Sequence, residues 1–272
     1  MTYLAFHAVF ILPPLVVLLF LAARVAPALG PRARWAMPAV VLIALVYTTP
    51  WDNYLVWRGV WYYGADRVLG TIGWVPIEEY MFFVLQPLLT GGWTYLLLAR
   101  LVRGRVDLAA TGSELAPPTP QAHRLGRAVG AAVYAAATLV GALALGVESG
   151  VYGGLILVWA APVLGAQWWF AGPAALRAPR TFLLAVGVPT LYLWAADWYA
   201  IASGIWTIAP RYTTGLHLVG LPAEEALFFL VTNLLVVQGL LLFLTPGLPV
   251  LGGAPAARGL QPDSASAHRA HP

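Results

Sequence analysis

The sequence has no cysteine, so disulfides, thiol nucleophiles and thiolate metal sites drop out at once. It has no lysine either; all fifteen basic residues are arginine. Without a side-chain amine there is no Schiff base, which excludes covalent retinal attachment and other imine chemistry. Charge of either sign is scarce. Only 10% of the 272 residues are charged, against about 25% in soluble domains, while 60% are hydrophobic and the mean hydropathy is +0.77. The net charge of +4 is spread between apolar runs rather than gathered in a patch, so the bilayer, and not nucleic acid, is the expected partner. No Asp-rich diphosphate–Mg motif, no G-x-G-x-x-G fingerprint and no His/Asp cluster at ligand spacing is present. Neither a metal nor a cofactor is therefore expected.

What the chain does have is apolar length. Runs long enough to span a bilayer fall at roughly 3–24, 35–51, 76–99, 127–147, 151–171, 181–200 and 221–244. The first lacks a basic n-region, exceeds a signal-peptide core and is followed by Arg24, Arg32 and Arg34, so it reads as a retained helix. The expected fold class is an all-α integral membrane protein of seven transmembrane helices. Between the third and fourth spans, 101–126 reads as a polar, proline-rich cytoplasmic linker, and 246–272 reads as a disordered tail rich in small residues. Twelve Trp and twelve Tyr suit interfacial belts, or a pocket for a polyene or a cation. One set of loops holds Arg24, Arg32, Arg34, Arg100, Arg103, Arg105, Arg124, Arg127, Arg177 and Arg180, with Arg258 and Arg269 in the tail. The other set holds Arg58, Arg67 and Arg211. The positive-inside rule then sets a multi-pass protein of the cell membrane with its N-terminus outside and its C-terminus in the cytoplasm.

The chain also repeats itself. Asp52, Tyr54, Gly59 and Trp61 match Asp197, Tyr199, Gly204 and Trp206 without a gap. After a one-residue slip, Pro76, Glu78, Glu79, Phe82 and Phe83 match Pro222, Glu224, Glu225, Phe228 and Phe229. The first three-helix repeat is 1–100 and the second 148–245, with 127–147 as a connecting helix, a 3+1+3 arrangement. An even number of crossings separates the repeats, so they run parallel and both acidic motifs lie on one side of the membrane.

A proline followed by two glutamates makes a good helix start, because Pro lacks an N–H that would be unpaired and acids suit the positive end of the helix. Scarcity argues for more than that. Six of the eleven acids are the repeat set Asp52, Glu78, Glu79, Asp197, Glu224 and Glu225, and an ionisable group at membrane depth costs about 2.5–3.5 kcal/mol on insertion scales. Adjacent glutamates point about 100° apart on a helix, so the two members of a pair have different roles. Each shares a face with a phenylalanine four residues on. A helix start favours carboxylate while burial and like charge favour the acid. Such a mixture supplies one group to donate a proton and another to collect it, with aromatic faces to hold a cation in between. Asp52 and Asp197 are read as caps, orienting groups or proton relays. His7, His217, Gln86, Gln167 and Asn233 are read first as hydrogen-bonding groups.

The paired "PIEEYMFF" and "PAEEALFF", each preceded by an Asp-aromatic segment, resemble the membrane-integral lycopene cyclases of the bacterial heterodimeric or fused type and of the fungal type. The resemblance covers most of residues 1–245. It implies proton-initiated, non-redox cyclisation of lycopene ψ-ends to β-rings, with a lipophilic carotenoid as substrate and other enzymes of the carotenoid pathway as candidate partners. It favours Glu78 and Glu224 as the essential acids, with Glu79 and Glu225 as partners and Asp52 and Asp197 in support. Phe82, Phe83, Phe228, Phe229, Trp61, Trp206, Tyr54 and Tyr199 would then stabilise substrate or cation. Two alternatives remain at this level: another carotenoid end-group enzyme, such as a C50 cyclase or a hydratase, and a SWEET-like 3+1+3 transporter.

Overall fold

The computed structural model describes residues 1–110 and 120–248. Seven helices long and apolar enough to span a membrane organise it: α1 (Tyr3–Leu29), α2 (Ala33–Arg58), α3 (Ile77–Gly104), α4 (Arg124–Ala144), α5 (Glu148–Arg177), α6 (Pro179–Ala202) and α7 (Ala223–Gly247). All seven expected spans are present. Helical structure continues beyond α3 to Ala110, into the first part of the stretch read as a linker. Residues 101–110 are rich in Leu, Arg, Val and Ala, which carry little helical penalty. Residues 111–119, and the tail from 249, lie outside the described residues.

Helices α3 and α7 are the most buried, and each carries one acidic motif at its start. Around them stand α1, α2, α5 and α6, while α4 packs along α5 and leaves most of its length exposed. Lipid is as apolar as leucine, so burial alone does not hold such helices together; close packing and interhelical hydrogen bonds do. One network ties three helices at mid-depth. The Asn233 side chain in α7 accepts from Gln86 (2.7 Å) and Thr90 (2.5 Å) in α3 and donates to Thr190 (3.0 Å) in α6.

The matched glycines explain how each half turns back. Gly59 and Gly204 follow α2 and α6 with φ of +74° and +64°, the left-handed region that a Cβ disfavours. In each case the next residue donates back to a carbonyl of the last turn, Val60 to Leu55 and Ile205 to Ala200, both at 3.0 Å. That is a Schellman end. It throws the chain into β1 (Trp61–Tyr63) and β4 (Trp206–Ile208). These strands pair antiparallel in the register Trp61↔Ile208, Tyr62↔Thr207, Tyr63↔Trp206. Because Trp61 and Trp206 are equivalent in the repeat, this register is symmetric about its centre, and the two halves meet there around a pseudo-two-fold axis. Two short hairpins, β2 (Thr71–Ile72) with β3 (Val75–Pro76) and β5 (His217–Leu218) with β6 (Leu221–Pro222), then lead into α3 and α7.

Candidate active site

Each acidic motif begins where a hairpin becomes a helix. Pro76 and Pro222 end the hairpin strands, one residue before the helix rather than in its first turn, and the glutamates occupy that first turn. About 100° of rotation between neighbours then sends the two carboxyls to different places. The first of each pair turns back to its own loop. Glu78 Oε1 accepts the Leu69 N–H at 2.9 Å, and Glu224 Oε1 accepts the Thr214 N–H at 2.7 Å and the Thr214 hydroxyl at 2.8 Å. Both residues are buried, with Oε2 unpartnered. The second of each pair turns inward, and the inward side is one shared space.

That space is a chamber of about 40 Å³ at the repeat interface. Glu79, Glu225, Asp52 and Asp197 all line it, so both copies of the motif reach one space. Asp52 and Asp197 stand on α2 and α6 about two helical turns before Gly59 and Gly204, and both are buried. None of the four acids pairs with an arginine among the described residues, whereas Glu148 pairs with Arg211 at the protein surface. Their partners are neutral. Tyr63 donates to Glu79 at 2.9 Å, with the Tyr3 hydroxyl alongside, Tyr152 donates to Glu225 at 2.7 Å, and Trp206 Nε1 donates to Asp197 at 2.9 Å. Asp52 Oδ2 and Asp197 Oδ2 are buried without a partner. Burial, and then the negative fields of Glu79 and Asp52, hold the Tyr63 phenol well above its ordinary value of 10.0, so it stays a donor at neutral pH.

Aromatic faces supply the walls. Phe82, Phe83, Phe228, Phe229, Trp61 and Trp206 all line the chamber, with Phe82 and Phe229 meeting edge to face at 6.1 Å across the interface. Tyr54 and Tyr199 do not join them. Each lies two residues beyond its aspartate on a helix, which points it away from the aspartate's face. Both are exposed, Tyr54 receiving the Arg58 guanidinium and Tyr199 packing on Phe10. His7 is fully buried, with Nε2 at 2.9 Å from the Glu78 carbonyl. A carbonyl only accepts, so Nε2 carries the proton. His217 is in the exposed β5–β6 hairpin, bonded to the Gly215 carbonyl. Among the described residues no group of three or more His, Cys, Asp or Glu side chains is arranged to hold a metal ion.

Tyr3, Tyr63 and Tyr152 lie outside the motifs that the sequence analysis singles out. Tyr3 and Tyr152 stand at corresponding places near the starts of α1 and α5. Each packs on the other half's tryptophan, Tyr3 on Trp206 at 4.8 Å and Tyr152 on Trp61 at 5.3 Å. The repeat extended without a gap sets Tyr3 opposite Glu148; a four-residue gap, which also sets Pro13 opposite Pro162, is needed to pair the two tyrosines. Tyr63 has no such signal, because Ile208 takes its place in the second half.

Comparison with known proteins agrees with this architecture. The lycopene cyclase family matches residues 1–97 and 149–243, the two repeats without the connecting helix. The chain is 46% identical over 243 residues to a lycopene beta-cyclase of Halobacterium salinarum, covering 89% of this chain and 95% of that one. It is 38% identical over 250 residues to a bifunctional lycopene cyclase/phytoene synthase of Leptosphaeria maculans, covering 89% of this chain and 41% of the fungal protein. A similar bifunctional protein of Phycomyces blakesleeanus is 34% identical over 242 residues, with 87% and 38% covered. No solved structure matches.

Proposed function

The chain belongs to the lycopene cyclase family, and on that premise we propose that it cyclises the ψ-ends of lycopene to β-rings by acid–base catalysis in the shared chamber. The observation that carries the assignment of residues is the convergence of both motif copies on one carboxyl-lined, aromatic-walled space. In the reaction a carboxylic acid gives its proton to C2 of the end group, leaving a cation at C1. The C5=C6 π-pair attacks C1, forming the C1–C6 bond and moving the cation to C5. A carboxylate then takes the proton from C6, and that C–H pair becomes the C5=C6 double bond. One proton enters and one leaves, so there is no net redox change.

Glu79 and Glu225 are the catalytic acid–base pair in this reading, because they face the space where the end group must react. Asp52 and Asp197, which line the same chamber, serve as relays that return the proton from acceptor to donor. Glu78 and Glu224 act at one remove, fixing the loops that precede α3 and α7. The phenyl and indole faces hold the travelling cation, an interaction worth about 2 kcal/mol or more when desolvated, and exclude the water that would trap it as an alcohol. The arginine distribution supports a chamber facing the non-cytoplasmic side, with the N-terminus outside and the C-terminus in the cytoplasm. Such a site takes its substrate from the bilayer, where a carotenoid dissolves.

The test is pigment chromatography of a lycopene-accumulating bacterium expressing this chain. Conversion to a one-ring and then a two-ring β-carotenoid is the expected result. Unchanged lycopene beside well-folded protein would refute the assignment.

A further inference from the structure

The chamber that receives the reacting end group is much too short for the polyene behind it, so the rest of the substrate must lie elsewhere. Two apolar grooves flank the bundle. One, of about 200 Å³, runs between α2, α3, α5 and α7 from the level of Phe228 to that of Phe243. The other, of about 470 Å³, runs between α1, α3 and α6 past Pro13, Trp93, Val188 and Tyr192. The pseudo-two-fold axis relates them. Tyr47 and Tyr192, each five residues ahead of its aspartate, line the two grooves. Tyr47 donates to the Trp159 carbonyl on α5, and Tyr192 to the Phe10 carbonyl on α1.

The halves then diverge. In the first groove Phe82, Phe83 and Phe228 form a wall held in common with the chamber; the second groove shares no lining residue with it. Tyr47, Trp159 and Phe228 of the first groove's lining stack nearly parallel in one ladder with Trp51, which packs between Trp159 and Phe228. Their centroids are 5.5, 4.4 and 5.8 Å apart and their planes differ by 15°, 18° and 5°. The sequence accounts for the asymmetry: the residue before Asp52 is Trp51, while the residue before Asp197 is Ala196, so the second half lacks the ring that would join such a ladder.

We infer that the groove between α2, α5 and α7 is the slot for the conjugated chain of a carotenoid, and that its pseudo-symmetric twin is not. This rests on the cyclase reading. Parallel ring faces suit a flat conjugated chain through dispersion contact along its length. Phe228 and Phe243 are fifteen residues apart on α7, about 22 Å at the helical rise, and Ile43, Leu242 and Phe243 of the lining are exposed, so a longer chain would project from the bundle. One slot leading to one chamber admits one end at a time. The substrate must withdraw and turn round between rings, and the one-ring product is therefore released.

Ala44→Trp places an indole in the slot from a partly exposed position, and Val188→Trp does the same in the twin groove. Both full-length variants are expressed in lycopene-accumulating cells and checked for folding by size-exclusion chromatography in detergent. Conversion is then measured together with the pigment that co-purifies with each protein. Ala44→Trp is expected to lose conversion about tenfold or more, the scale of a steric block, and its bound pigment with it. Val188→Trp should match the unsubstituted protein in both. Full activity of Ala44→Trp, or an equal loss in a folded Val188→Trp, overturns the inference. Should Ala44→Trp fail to fold, the time course of the unsubstituted protein decides: one-ring carotenoid accumulating ahead of two-ring product supports a single slot, and two-ring product from the outset refutes it. If the unsubstituted protein converts nothing, the cyclase reading has failed. Pigment retained by that protein but lost from Ala44→Trp would still support the slot, and pigment retained by both would sink it.

Discussion

Substituting the four motif glutamates one at a time by glutamine separates chemistry from architecture, because the side chain keeps its shape while losing its exchangeable acid proton. At position 79 the amide oxygen can still accept from Tyr63, and at 225 from Tyr152, so the chamber keeps its geometry. What disappears is proton transfer, for which a positioned acid or base supplies about 10²–10⁴-fold. Glu79→Gln and Glu225→Gln should therefore lose turnover on that scale while unfolding close to the temperature of the parent protein. At 78 and 224 the bookkeeping reverses. The amide oxygen keeps the bonds from Leu69 or Thr214, but the new NH₂ replaces an Oε2 that is buried without a partner. Burying donors with nothing to accept them costs about 1–3 kcal/mol. Glu78→Gln and Glu224→Gln should thus lower thermal stability yet keep turnover per folded molecule within a few-fold. Pigment yield normalised to folded protein, with thermal unfolding in detergent, measures both. The reasoning fails if folded Glu78→Gln or Glu224→Gln is inactive while Glu79→Gln and Glu225→Gln still cyclise.

Three further outcomes follow from particular residues. Gly64 donates to the Ile205 carbonyl, and a Cβ there would meet the Gly204 carbonyl oxygen at 2.4 Å; Gly64→Ala should push the β1–β4 junction apart and lower both stability and activity, read as a reduced unfolding temperature with reduced pigment conversion. Val219 holds φ of +53° at the tip of the β5–β6 hairpin, 93% exposed, so Val219→Asn should stabilise by about 1 kcal/mol, Asn tolerating that region best after Gly, with conversion unchanged. Tyr63→Phe removes one donor from Glu79 and should slow turnover about two- to tenfold, the worth of a single hydrogen bond. Since the folded phenol titrates well above 10.0, the unfolded chain ionises it first; stability falls as pH rises past that value, and Tyr63→Phe should flatten this alkaline loss in a pH series of unfolding temperatures.

The sequence made the repeat legible because its pressures are local. A left-handed glycine after a helix, a proline before one and an acid in its first turn each leave a residue-type signature at fixed spacing, and the two copies confirmed one another. Which member of each acid pair faces the chemistry was not legible. Rotation of about 100° separates them in principle, but the zero of that rotation is set by hairpins whose register depends on the packing of both halves. Tyr54 and Tyr199 show the same limit: they recur as faithfully as Asp52 and Asp197, yet repetition preserves outer faces as well as inner ones. The positions where the repeat breaks carry information of a different kind. Ile208 opposite Tyr63 and Ala196 opposite Trp51 make the halves unequal around a shared chamber. In the proposed cyclisation one group donates a proton while another collects it, and these departures make the surroundings of the two carboxyl pairs different, Tyr63 donating to Glu79 where Ile208 stands in the other half. Duplication accounts for the two carboxyl pairs, and in the proposed reaction the departures from it are what distinguish them.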